Sequence, residues 1–151
     1  EREMVAFFST FNRYRVAAAY IDASGARVLA RALERGAHVD LVMPRTPNVY
    51  ADCNSRTLGT LLAAFKDRLT LKLSRDMVHA KAAVAEGPSQ LVALLGSCNL
   101  KMRSFTQFEE LHARVTDQSF CSALWDQLGR LLDEAEDVQD PTQLEFNPVM
   151  A

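Results

Sequence analysis

Two segments decide how this chain reads: Met77-Val78-His79-Ala80-Lys81-Ala82-Ala83-Val84-Ala85-Glu86-Gly87 and, further on, Gly96-Ser97-Cys98-Asn99. Met77–Ala85 is expected to be one strand and Leu91–Leu95 the next, joined by the turn Glu86-Gly87-Pro88-Ser89. Alternate residues of a strand share a face, so His79 and Lys81 should project side by side. Glycine at position 96 permits a sharp turn, and Ser97 and Asn99 offer short polar side chains beside that pair. These are groups suited to a phosphate ester. Imidazole is a competent nucleophile near neutral pH. An ammonium, an amide and a hydroxyl stabilise the extra charge of a five-coordinate transition state.

Upstream, residues 1–15 read as a helix, with Met4, Phe7, Phe8 and Phe11 at helical spacing. Val16–Ile21 is an apolar run expected as a buried strand. Ser24 is positioned to cap a helix whose apolar face is Val28, Leu29, Ala32 and Leu33, stopped by Gly36. Val39–Met43 reads as a second strand, and Pro44–Asn54 as a loop. Leu58, Leu61, Leu62 and Phe65 mark another amphipathic helix. Leu69, Leu71 and Leu73 then switch to a period of two. Leu111–Val115 is a further strand, and Leu124, Trp125, Leu128, Leu131 and Leu132 mark a last helix before a polar tail from Asp137. Strand, helix, strand, helix and then a run of strands predicts an α/β sandwich with a mixed central sheet.

A His and a Lys two residues apart carry little information alone. The whole string carries more. His79-x-Lys81, four residues, an acid at Glu86, Gly87, a strand and Gly96-Ser97-x-Asn99, then Arg103-Ser104-Phe105 and Glu110-Leu111, resembles the signature of the phospholipase D superfamily. Ala18-Ala19-Tyr20-Ile21 and Arg35-Gly36-Ala37-His38-Val39 resemble the family's upstream run, so the likeness covers about residues 14–135. It implies the phospholipase D-like α-β-α sandwich. It also makes His79 the residue that attacks phosphorus, or the general acid facing the attacker. Lys81 and Asn99 would then bind phosphate with Ser97 in support. Glu110 would hold a histidine ring through its second nitrogen, and Arg103 would extend the positive field. Glu86 stands where the family has Asp and is read as a supporting residue beside the turn. Lys101 replaces a frequent Asp, and His38, His112 and Cys98 are read as packing or surface residues.

In this superfamily two such motifs face each other, and this chain has one. The second is expected from a homodimer mate or from the rest of a longer chain, as a start without Met also suggests. Arg103-Ser104-Phe105 resembles the cardiolipin synthase branch, which implies a phosphodiesterase or phosphatidyltransferase working on phospholipids through phosphohistidine. The alternatives are a homodimeric nuclease-like phosphodiesterase and a non-catalytic half that pairs with a catalytic partner. No cofactor or metal is expected.

The 151 residues fit one domain, expected over 1–138 with a polar tail over 139–151. The hydrophobic share of 48% and charged share of 24% exclude disorder and coiled coil. Net charge is −2, which divides unevenly. Residues 1–115 hold 16 Lys/Arg against 11 Asp/Glu, whereas residues 116–151 hold Arg130 against 8 acids. The basic body suits a phosphate-bearing substrate, and the acidic end reads as a solvated helix face and tail. A nucleic-acid partner is less expected, because no basic and aromatic stacking platform is visible. Three widely spaced cysteines, Cys53, Cys98 and Cys121, suggest free thiols rather than a zinc site. With no signal peptide or long apolar span, the expected location is the cytoplasm or the cytoplasmic side of a membrane.

Overall fold

The computed structural model describes residues 2–45, 51–76, 78–97, 100, 112–140 and 144. The chain runs α1 (Arg2–Phe8), β1 (Arg13–Ala17), α2 (Ala23–Glu34), β2 (His38–Pro44), α3 (Ala51–Ala64) and β3 (Leu69–Ser74). It continues with β4 (Ala82–Glu86), β5 (Leu91–Gly96), β6 (His112–Val115), α4 (Gln118–Glu134) and β7 (Glu136–Asp137). The seven strands form one sheet in the order β6-β5-β4-β1-β2-β3-β7. β1, β2 and β3 are parallel, joined through α2 and α3, and the remaining pairs are antiparallel. The expected α/β fold with a mixed sheet is the one observed.

Both sheet faces are covered. Tyr14, Val16, Leu41, Met43, Leu71 and Leu73 pack with α1, α2 and α3, whereas Ala17, Val42, Val84 and Ala93 pack against Cys121, Leu128 and Leu132 of α4. Alternation along each strand thus feeds two apolar layers. Arg15 also faces α4, where its guanidinium donates to the Trp125 carbonyl at 2.8 Å and lies 4.2 Å from the ring centre. Gly129 admits it: a Cβ there would come within 2.7 Å of Arg15 Nη1.

Several element boundaries differ from those expected. The first helix stops at Phe8 because Ser9 and Thr10 turn their hydroxyls onto the Val5 and Ala6 carbonyls, both at 2.6 Å. The chain then re-enters as β1, pinned by Tyr14, whose hydroxyl donates to the Phe7 carbonyl and accepts from the Phe11 amide. The strand predicted over Val16–Ile21 lies earlier, at Arg13–Ala17. Ala18, Ala19 and Ile21 are buried in the connection to α2, and burial without periodicity looks the same in sequence. Asp22, rather than Ser24, caps α2, accepting from the amides of Ser24 and Gly25. At the other end Gly36, at φ +96°, lets the Gly36 and Ala37 amides reach back to the Leu33 and Ala32 carbonyls. α3 begins at Ala51, inside the stretch expected as loop.

The acidic end is less solvated than its composition suggests. β7 adds to β3 in register Lys72↔Asp137 and Leu73↔Glu136, covering part of what would be an open sheet edge. One Glu136 oxygen accepts from Arg75 Nε and Nη2 at 2.9 and 2.7 Å, and the other meets Arg45 at 2.8 Å. Lys72 pairs with Asp137 at 3.6 Å. Val138 and Leu144 beyond it are buried in the core.

The hydrogen bond from Arg75, and then the charge of Arg45, hold the Glu136 carboxyl below its usual range. A depressed folded-state pKa contributes stability above the unfolded value, lost as pH falls through the folded one. Glu136→Gln is therefore expected to be less stable than the parent at pH 7. In urea melts that gap should close as pH falls below about 4.3, the ordinary glutamate value. A gap that persists at pH 2 contradicts the assignment.

Candidate active site

Strand direction gathers the polar segments at one end of the sheet. β4 starts where β1 ends, with Ala82 opposite Ala17, and β5 ends beside them, with Leu95 opposite Ala82. β6 starts at the same level, with His112 opposite Gly96. Residues before β4, after β5 and before β6 therefore share that end, outside the carboxyl ends of the parallel strands, where open α/β sheets place ligands.

The strand expected from Met77 is shorter than predicted: residues 78–81 precede β4, and the Lys81 carbonyl keeps one bond to β5, accepting from the Gly96 amide at 3.4 Å. The cause lies in β1. The β1–β4 ladder ends at the Ala17↔Ala82 pair, so no partner on the β1 side continues along the segment before Ala82. Val78 is buried there and anchors the segment against the α4 side of the sheet. His79 is exposed and Lys81 half-buried.

The predicted juxtaposition of His79 and Lys81 holds without the regular strand. Lys81 Nζ lies 3.2 Å from Nδ1 and 3.1 Å from Nε2 of His79, and donates to the His79 carbonyl at 3.0 Å. Whichever ring nitrogen carries the lone pair can accept from the ammonium. The carbonyl contact fixes the ammonium beside the ring and leaves the imidazole open to solvent. Behind Lys81 the wall is apolar, a small cavity of about 20 Å³ lined by Met4, Phe8, Leu94 and Leu100. A phosphate bound here would meet a cation on its protein side and a nucleophilic ring beside it.

Ser97 follows the Gly96 turn, exposed, at the same sheet end. Asn99, Arg103 and Glu110 lie outside the described residues, as do Cys98 and Lys101. His112 opens β6 at this end. Glu86 is not brought to the site. It is exposed at the opposite end of β4, opposite Arg13 and Leu91, roughly 17 Å of extended chain from Lys81. His38, exposed at the start of β2, is also at that far end. Among the described residues no group of three or more His, Cys, Asp or Glu is arranged to hold a metal.

Sequence reasoning missed how the chain at Leu100 is held. Leu100 forms a lone parallel bridge with Ile21, and its carbonyl accepts from the Asp22 amide at 2.8 Å. Gly25, in the first turn of α2, lies so close that a Cβ would sit 2.1 Å from the Leu100 oxygen. The glycine in Ala-Ser-Gly-Ala was the available signal, since glycine inside a helix costs about 1 kcal/mol and suggests close packing.

The cardiolipin synthase phospholipase D-like domain model matches residues 8–132. The chain belongs to that family. A comparison with curated protein sequences finds no match. Among solved structures, the domain is similar to Nuc, a phospholipase D family member of Salmonella typhimurium, with TM-score 0.79 and 13% identity, over 92% of this chain and 90% of Nuc. NucT of Helicobacter pylori gives 0.72 and 12%, over 91% and 89% of the two chains. The phosphatidylserine synthase of Haemophilus influenzae gives 0.75 and 16%, over 95% of this chain and 37% of the synthase. At these identities the likeness is one of fold. Among the described residues no helix of this phospholipase D-like domain is long and apolar enough to cross a membrane.

Two measurements check the local geometry. His79→Asn and Lys81→Met remove side chains that carry no core packing, so their melting temperatures should stay within about 2 °C of the parent. A drop several times larger would give the pair a structural role. Gly25→Ala, by contrast, forces Leu100 away from α2 and should destabilise by about 1–3 kcal/mol. An unchanged urea midpoint would show that the contact relaxes freely.

Proposed function

We propose that the domain supplies half of a phosphodiester-cleaving or phosphatidyl-transferring site for phospholipids, with His79 as nucleophile. The supporting observation is the exposed His79 ring held against Lys81, at the sheet end where the Gly96-Ser97 turn emerges. The family match to the cardiolipin synthase domain favours a lipid substrate.

In the first step a ring nitrogen of His79 attacks phosphorus, forming a P–N bond while the P–O bond to the leaving alcohol breaks. A histidine of the opposing half gives its proton to that oxygen. Water or a second alcohol then attacks phosphorus and returns a proton to that histidine, and the P–N bond breaks. Lys81 offsets the charge on the non-bridging oxygens, a contribution of the size of one oxyanion donor, about 10²–10³ in rate. Asn99 and Ser97 would donate to the same oxygens, Arg103 would add positive charge and Glu110 would orient a ring nitrogen. Glu86, at the far end of β4, is proposed to act only on the turn.

The second half would come from another copy of this chain or from the rest of a longer polypeptide. Similarity to Nuc over nine-tenths of both chains supports a second reading, a homodimeric nuclease-like phosphodiesterase.

The test is mass spectrometry of the intact protein after brief incubation with phospholipid, at neutral pH with chelator present. A phosphatidyl adduct on His79 is expected, absent in His79→Asn, with turnover lost in that variant and reduced about 10²–10³-fold in Lys81→Met. Turnover by His79→Asn at the parent rate would overturn the mechanism. Cleavage of single-stranded DNA but no phospholipid would select the second reading.

A further inference from the structure

A groove of about 380 Å³ lies between α2 and α3, apart from the His79–Lys81 pair. Ala23, Ala26 and Ala30 form one wall, and Leu61, Ala64 and Phe65, with Thr57 and Thr60, the other. Ala26, Ala30 and Phe65 pack against the core from its edge, so the floor is continuous with the interior apolar layer. The volume falls within the range of small-ligand sites, roughly 300–1,000 Å³.

Charge along the groove is uneven. Arg27 and Arg56 line it, each within about two turns of its helix N-terminus. Both side chains are exposed. Arg27 donates to Ser24 Oγ at 3.1 Å, and neither arginine takes part in an ion pair among the described residues. Because β1, β2 and β3 are parallel, α2 and α3 both start at the sheet end that carries His79. The two guanidinium groups therefore stand toward the reactive end, and Ala30, Ala64 and Phe65 lead away from it. Ala23 follows Asp22, whose amide holds Leu100 at the end of the Gly96-Ser97 turn.

A cationic mouth above an apolar trough complements an amphiphile with an anionic head and a hydrocarbon tail. We infer that the α2–α3 groove takes an acyl chain of an anionic phospholipid, with Arg27 and Arg56 against the headgroup phosphates of the lipid surface. This deepens the proposed lipid function and rests on it for the substrate class. The contact itself requires no chemistry at His79.

The test measures sedimentation of the full chain with vesicles of phosphatidylglycerol and phosphatidylcholine, or of phosphatidylcholine alone. A His79→Asn background keeps the lipid from being consumed. Preferential binding to the anionic vesicles is expected. Arg27→Gln with Arg56→Gln should weaken it about thirtyfold, from roughly 1 kcal/mol per arginine near an anionic surface. Ala30→Gln, which puts an amide in the trough and leaves both arginines in place, should weaken binding at least fivefold at an unchanged melting temperature. Should that variant lose its fold, Ala64→Gln replaces it on the opposite wall. Unaltered binding in the double arginine variant would overturn the inference. So would weakening there without weakening in the groove variant, which would mean charge adhesion alone. Absence of vesicle binding would also overturn it, leaving the groove to an acidic protein partner. Absence of phospholipid turnover by the parent chain, with vesicle binding intact, would count against the proposed chemistry at His79 and not against the groove.

Discussion

At Ala17 the central strand gives up one of its two neighbours. Its ladder with β4 ends there, while the parallel ladder with β2 continues for one more bond, from the Ala18 amide to the Val42 carbonyl. Had β1 run on, residues 78–81 would have been drawn into the sheet, with their backbone groups paired and side chains forced to alternate between packed faces. Released, the segment keeps Val78 as its anchor and carries His79 outward. The same sheet end receives the start of β6 and the end of β5, so the segments that flank these strands meet at the end of the sheet that carries His79 and Lys81. Lys81 then holds the arrangement through its contact with the His79 carbonyl.

The fold was legible because its signals are periodic. Leu69, Leu71 and Leu73 alternate, and α2 shows an apolar stripe with a glycine stop, so the sheet and crossover helices could be read directly. Boundaries were less legible where burial and regular structure part company. Ala18, Ala19 and Ile21 are as buried as a strand yet form a connection, since the ladder with β4 stops at Ala17 and burial alone does not extend it. Likewise Met77–Ala85 has strand composition throughout, but its first residues lack the neighbour that would make them strand.

The candidate site was legible in a different way. The closeness of His79 and Lys81 survives the loss of regular strand because only Ala80 separates them and the Lys81 ammonium reaches back to the His79 carbonyl. Glu86 belongs to the same string of residues but to the opposite end of the sheet, since it closes the five-residue strand that Ala82 opens. Linear proximity misleads once it exceeds the length of a turn. The Gly25–Leu100 contact, joining a helix to a turn far away in sequence, has no local signal except an unexpected glycine.

β7 adds a constraint in time. It pairs with β3 only after more than sixty intervening residues have been made, so one flank of the sheet stays bare while the rest of the domain emerges. At roughly 5–20 residues per second, that interval lasts about 3–12 s. Over it, Lys72, Arg75 and Arg45 present unpaired positive charge along the bare flank, where another nascent copy would bring the same charges. Mutual repulsion of identical chains would then guard the unfinished sheet until Glu136 and Asp137 arrive, neutralise it and close it.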